Sequence, residues 1–458
     1  CSSRGLGDVY KRQSLYLLPM KLKDHLLKNL SLSFPIMISQ LGHITVGVFD
    51  SLMIGKVSVS QLAAVSLATS IFSFILLFCI GLSYGITPLI SSSDRGKKYV
   101  SSILYNGMLV NVISSILLVS FVILTKHLLS YLGQDEEVLF HTYSYLDIIC
   151  ISLIPLILFQ TFKQFIEGLG FTKPSMYISV ISNVINVVLN AVLIFGLFGF
   201  PRLEIIGAAY ATLISRVIMF LLILIYCLND RRFSKYILKT KFLVNLNHIK
   251  DIFRIGFASG LQYIFEVGAF SVATVMTGSI GAIHLAAHQI ALNLASISYM
   301  IASGIGSASM ISLSYYDGKR NFEDMRRSGF ASFLLVFILM IVSALVFIIF
   351  RNYLPVLYVD DSSVINIAST LLIIAGLFQI SDGIQAVGLG ILRGIRDIKK
   401  PTIVTFISYW IISIPLSYFL GIEYGYGVYG IWIGLSVGLT LAAIFHVTRF
   451  NYLTFVKK

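Results

Sequence analysis

Charge is what this chain has least of. Only 12% of its 458 residues are Asp, Glu, Lys or Arg, against roughly 25% in a soluble domain. With 57% hydrophobic residues and a mean hydropathy of +0.88, it reads as an integral membrane protein with no large domain outside the bilayer. Cysteine is also scarce: Cys1, Cys79, Cys150 and Cys227. Three lie in apolar runs and none shows a paired spacing, so no disulfide framework or cysteine metal site is legible. A G-x-x-x-x-G-K-[ST] loop is absent, which removes ATP as the expected energy source, and so are HExxH and CxxC elements. His284 and His288 have the spacing of two zinc ligands without a third nearby, and read as helix-end packing. Without a nucleophile or metal set, no enzyme activity and no cofactor are expected; a membrane-embedded enzyme is the weak alternative.

Long apolar runs fill the chain instead. Twelve reach the roughly 20 residues that a spanning helix needs, at about 32–54, 66–90, 103–124, 142–162, 175–199, 206–228, 252–277, 286–312, 329–350, 364–391, 402–421 and 428–447. They are too long and continuous for barrel strands, and an open strand would leave its backbone unsatisfied in lipid. Residues 1–19 have no signal-peptide layout. Met20, followed by Lys21, Lys23 and Lys28, looks like a natural start, so 1–19 is expected to be a non-native extension.

Basic residues set the orientation. Of the 34 lysines and arginines, 26 lie in the end segments from Met20 on and in the even-numbered loops, and 4 in the odd-numbered loops. By the positive-inside rule both termini and the even loops face the cytoplasm. The net charge of +13 is therefore a topology signal, and nucleic acid is not an expected partner. Arg216 is the one basic residue placed deep inside a run.

The chain also repeats itself. Leu62-Ala63-Ala64 matches Leu285-Ala286-Ala287 at an offset of 223, and Gly81 then falls on Gly304 and Gly207 on Gly430. Each half holds six spans, so the halves insert in the same direction around an axis along the membrane normal. The expected fold is all-α: twelve transmembrane helices in two pseudo-symmetric six-helix lobes, a first lobe over 20–228, a cytoplasmic linker over 229–251 and a second lobe over 252–458. Gly81-x-x-x-Gly85 and Gly430-x-x-x-Gly434-x-x-x-Gly438 signal close helix approach. Pro35, Pro88, Pro155 and Pro415 mark kinks.

Three carboxylates carry the functional signal. Asp50, Glu266 and Asp382 each lie within an apolar run, where a charge costs on the order of 2.5–3.5 kcal/mol even on the lenient insertion scale. Proton or cation binding lowers that cost, so they read as an ion or proton pathway. Gln40, His43, Gly47 and Asp50 recur at steps of three and four, on one helical face. Asn183, Asn186 and Asn190 do the same in span 5, and amide oxygens beside a carboxylate suit a hard cation. Interhelical hydrogen bonding is the plainer alternative for these asparagines and for His43. In the second half, Ser259, Gln262 and Glu266 share one face of span 7, and Gln379, Asp382 and Gln385 one face of span 10. Facing each other, Glu266 and Asp382 could share a proton or hold sodium. Asp147 and Glu167 read as solvated or surface acids.

Several stretches together resemble the multidrug and toxic compound extrusion (MATE) family, nearest its NorM branch. They are Phe49-Asp50-Ser51-Leu52-Met53-Ile54-Gly55; Glu167-Gly168-Leu169-Gly170-Phe171-Thr172-Lys173-Pro174; Phe265-Glu266-Val267; Ala286-Ala287-His288-Gln289-Ile290-Ala291; Asp382-Gly383-Ile384-Gln385; and Leu392-Arg393-Gly394. The resemblance implies a multi-pass exporter of the bacterial inner membrane that exchanges organic cations for sodium or protons; a functional monomer is expected. It implies a first-lobe cation site of Asp50, Asn186 and Asn190 and a second-lobe site of Glu266 and Asp382. Phe378 stands one turn before Asp382, where NorM-like relatives often carry tyrosine. Gln40, His43, Gln262, Phe265, Phe270, Phe378, Gln379 and Gln385 are the candidate cavity lining, the aromatics through cation–π contact. A flippase for lipid-linked sugars shares the topology; it would need a cation-rich cavity for phosphate. Sodium against proton stays open.

Overall fold

The apolar runs become helices because lipid offers the backbone no hydrogen-bonding partner. A computed structural model describes residues 21–92, 96–132, 135–238 and 243–456; the expected 1–19 extension lies outside them. Among the described residues twelve helices are long and apolar enough to span a membrane: Leu22–Gly55, Val59–Ser91, Gly96–Tyr131, Glu136–Gly168, Lys173–Phe195, Glu204–Asn229, Leu246–Ile280, Ala282–Gly318, Phe322–Ile349, Ser362–Gly394, Lys399–Glu423 and Gly427–Val456. These are spans 1 to 12 below. The basic linker carries a short helix, Arg231–Ile237, capped by Asp230. Hydrogen bonds from Arg232 hold the Asp230 carboxyl down at about 2. Phe233 of this helix is buried against Phe165 and Phe171.

Span 1 starts ten residues before its apolar run. Hydropathy misses this stretch because it is polar, yet His25 and Asn29 are fully buried. They pack on the second lobe: His25 Nε2 lies 3.2 Å from Asp324 Oδ1 of span 9, and Asn29 Nδ2 donates to the Ser328 carbonyl (3.0 Å) and to Ser332 Oγ (2.8 Å). Further along, Ser39 of span 1 donates to Ser179 of span 5. The first span therefore bridges both lobes.

The glycines that repeat at 223 residues do equivalent work. A Cβ on Gly81 would lie 2.6 Å from Gly260 Cα, so span 2 presses directly on span 7; a Cβ on Gly304 would lie 2.9 Å from Met37 Cα, so span 8 presses on span 1. Each second span thus packs on the first span of the other half, as a two-fold relation requires. Gly207 and Gly430 match in the same way, each against the preceding span of its own lobe. Gly430, Gly434 and Gly438 seat span 12 on Leu420, Ser417 and Ser413 of span 11, the close approach expected of that motif.

These inter-lobe contacts lie at the end of the molecule that carries the basic, even-numbered loops. Ser91 Oγ donates to the Ile311 carbonyl (2.7 Å), Ser314 Oγ to the Pro88 carbonyl (2.6 Å), and Arg396 to Ser92 Oγ (2.6 Å). The lobes form a closed seam at that end. Span 2 breaks between Ser83 and Thr87, just before Pro88, and span 4 breaks at Ser152, before Pro155. Span 11 is π-helical over Ile407–Ser413 and Phe419–Glu423, on both sides of Pro415, whose ring removes a backbone donor.

Candidate functional site

The three intramembrane carboxylates are all buried: Asp50 at 8%, Glu266 at 6% and Asp382 at 4% exposure. None forms an ion pair with lysine or arginine among the described residues. They divide between two polar clusters, one in each lobe.

In the first lobe the helical faces of spans 1 and 5 meet. Asn190 Nδ2 donates to Asp50 Oδ1 and to Asn186 Oδ1 at 3.1 Å. Asn186 Nδ2 reaches Thr212 Oγ1 and Ser215 Oγ of span 6, each at 3.4 Å. Asn190 Oδ1 has no partner among the described residues. A carboxylate and a free amide oxygen side by side are the donor set of a hard cation. Asn183, on the same face of span 5, abuts Gly42. The side chain of His43 lies outside the described residues. Arg216 faces the same interior: its Nη1 donates to Ser152 Oγ at 2.6 Å, its guanidinium lies 5.2 Å from the Phe72 ring centroid, and its charge acts on Asp50.

In the second lobe the faces of spans 7 and 10 converge. Glu266 is approached by Tyr299 and Gln385, and its charge acts on Asp382. Around them, Asp382 Oδ1, both amide atoms of Gln379 and Tyr409 Oη lack a hydrogen-bond partner among the described residues, and His446 lies against the backbone of Gln385. All four side chains are buried. An unmade buried hydrogen bond costs about 1–3 kcal/mol, so this concentration of unpaired polar atoms is unusual for a protein interior. Residue-by-residue reading missed Tyr299, Tyr409 and His446; none has an acid or amide three or four residues away on its own helical face to draw notice.

Beside this cluster runs a cavity lined by Gln262, Tyr263, Glu266, Tyr299, Ser303 and Arg393. Gln40 joins it from the first lobe by donating to Ser303 Oγ at 3.3 Å. The aromatics expected to line a drug cavity are placed differently. Phe378 is buried between Phe270 (6.0 Å between centroids) and Trp432 (5.4 Å), in the core of the second lobe. Phe265 packs on Phe406 at 5.1 Å. Apolar burial decides these positions, since nothing polar on the three rings ties them to the acids.

Other expectations resolve plainly. Trp432 Nε1 donates to His288 Nδ1 at 3.0 Å, so Nε2 carries the proton and reaches Thr274 Oγ1 at 3.0 Å. His288 is structural, and no cluster of three His, Cys, Asp or Glu suited to a metal occurs among the described residues. Asp147 is part-exposed and pairs with Lys126 at 2.5 Å. Glu167 corrects the surface reading: it is 2% exposed and accepts from Ser175 Oγ at 2.7 Å, because the turn at Gly168–Thr172 folds span 5 back over it. Two stretches, Gly81-Leu82-Ser83-Tyr84-Gly85 and Gly434-Leu435-Ser436-Val437-Gly438, have a nucleophile-elbow spacing. They are helix-packing surfaces, and both hydroxyls bond back to the backbone, Ser83 to Ile80 and Ser436 to Trp432.

Comparison with known proteins gives one answer. The MatE family model matches residues 35–192 and 258–419. The multidrug resistance protein NorM of Photobacterium profundum is 31% identical over 431 residues, covering 93% of this chain and 94% of that one. NorM of Vibrio vulnificus is 32% identical over the same coverage. The crystal structure of the eukaryotic MATE transporter AtDTX14 superposes with a TM-score of 0.85 at 19% identity, over 95% of this chain and 98% of that one.

Proposed function

Because the chain belongs to the MATE family of multidrug efflux transporters, we propose that it exports organic cationic compounds by alternating access, in exchange for sodium ions or protons. The observation that carries this reading is the set of three buried carboxylates, none of them in an ion pair with lysine or arginine among the described residues. Desolvated negative charge persists in a protein when a mobile positive species shares the site. Asp50 with Asn186 and Asn190 forms the first-lobe cation site, and Glu266 with Asp382 the second. A cation bound there favours one arrangement of the lobes and a drug the other, so each ligand shifts the equilibrium by its differential affinity. The driving force is adequate: one charge crossing 100 mV contributes about 2.3 kcal/mol. The lobes rock against each other across the glycine seam, with both termini and the basic loops on the cytoplasmic side of a bacterial inner membrane. A single chain holds both lobes and acts as a monomer. The acidic pair in the second lobe weighs against a flippase, whose phosphate cargo would be repelled.

Ethidium transport in proteoliposomes, with sodium and pH gradients imposed separately, tests the proposal. Accumulation driven by one gradient and abolished by its collapse is the expected result. Transport indifferent to both gradients overturns it.

A further inference from the structure

Arg393 lies in the last turn of span 10 and is only 6% exposed. A desolvated guanidinium ordinarily has a carboxylate in contact, yet Arg393 makes no ion pair among the described residues. Its Nη2 donates to Gln262 Oε1 at 3.0 Å, and its Nε has no partner there. Its Cζ sits 4.9 Å from the centroid of the Tyr84 ring. Tyr84 belongs to the other lobe: it ends the first segment of span 2, is 4% exposed, and stacks on Tyr263 at 6.2 Å and 29°. Tyr263, Gln262, Glu266 and Arg393 all line one cavity. One cation therefore shares a cavity with the acid of the second lobe and rests on an aromatic ring of the first, at the seam.

We infer that Arg393 is the positioning residue that reports occupancy of the Glu266 cavity to the inter-lobe seam. This rests on the antiport reading above and names the residue through which that site acts on the lobes. While the cavity is free of cation, the charge of Glu266 draws the guanidinium inward and keeps it on the Tyr84 ring, and the seam stays closed. A cation at Glu266 cancels that attraction and repels Arg393, loosening its hold on Tyr84. The seam at the basic end then opens, which is the direction antiport needs for releasing the cation.

The experiment places spin labels at Lys98→Cys and Lys400→Cys, both exposed at the basic end, in the full-length chain with Cys1→Ser; Cys79, Cys150 and Cys227 are buried. Label distances are measured against sodium concentration and against pH, alongside cation affinity by calorimetry. In the wild type the cation should shift the population towards longer distances. In Arg393→Gln the response of that population should fall about tenfold, within the ordinary range of coupling between sites. Cation affinity should rise severalfold, because a like charge has left the cavity. Arg393→Lys keeps the charge and should keep the wild-type affinity with a reduced response. Tyr84→Leu should lose the response at unchanged affinity. A wild-type response in Arg393→Gln overturns the inference alone, as does loss of response together with loss of cation binding. A wild type that neither binds nor responds to sodium or protons overturns the antiport reading and this inference with it.

Discussion

Asn190 of span 5 donates its amide hydrogen to the carboxylate of Asp50 in span 1, across 140 residues of sequence. A neutral amide stabilises the carboxylate without cancelling its charge, and the Asn190 oxygen beside it has no partner among the described residues. In the proposed first-lobe site the acid is thus held in place by a neutral group that leaves its charge intact.

Replacing Asp50 by Asn removes the charge but keeps the shape. Ion dependence of efflux should change while expression does not. Asn190→Ala instead strips a charge-assisted hydrogen bond, and stability should fall by about 1.5–3 kcal/mol, read as a lower Tm in detergent. Unaltered ion-driven efflux in Asp50→Asn would remove the first-lobe site.

Glu266→Gln and Asp382→Asn should each abolish drug resistance at normal expression, since both acids belong to the proposed second-lobe site and both are buried. Resistance and protein level, measured in the same cells, check this. Full resistance in both variants would end the case for a second-lobe site.

The seam admits little extra volume. Gly81→Leu would force atoms against the Gly260 backbone, and Gly304→Leu against Met37. Each should destabilise the closed arrangement by about 1–3 kcal/mol, the usual cost of overpacking. Gly47→Ala, with nothing within 4 Å of the added carbon, should hold or raise stability, by up to about 1 kcal/mol, because alanine loses less freedom in a helix than glycine. Thermal unfolding of the three variants side by side separates seam from surface.

His25 and Asp324 meet 299 residues apart. A double-mutant cycle with His25→Ala and Asp324→Ala should return a coupling of about 0.5–3 kcal/mol, measured by unfolding at neutral pH. Zero coupling would mean that this pair does not help to hold span 1 to the second lobe, leaving that to Asn29, Gln40 and the Met37–Gly304 packing.

Much of the site was legible because helical spacing is local. The steps of three and four that join Gln40 to Asp50, Asn183 to Asn190 and Gln379 to Gln385 survive as shared faces whatever the tertiary arrangement. Solitary residues were not legible. Tyr409 and His446 have no acid or amide at helical spacing on their faces, and Arg393 read as one more basic residue near a loop. Glu167 looked like a surface acid because its burial depends on a turn that brings Ser175 back over it. The start of span 1 escaped hydropathy because its polar residues are matched to polar residues on spans 8 and 9, and no window within span 1 can register that match.

What the sequence by itself determined is the number of crossings, their duplication and the bias of positive charge to one end. These follow from composition summed over short windows, and lipid enforces them on any segment independently. What only the tertiary structure decided is which partner each polar side chain meets: Asp50 with Asn190, Arg393 with Tyr84, Phe378 with Trp432. Those pairings depend on how each helix is rotated and how the lobes close, and packing between residues hundreds of positions apart sets both.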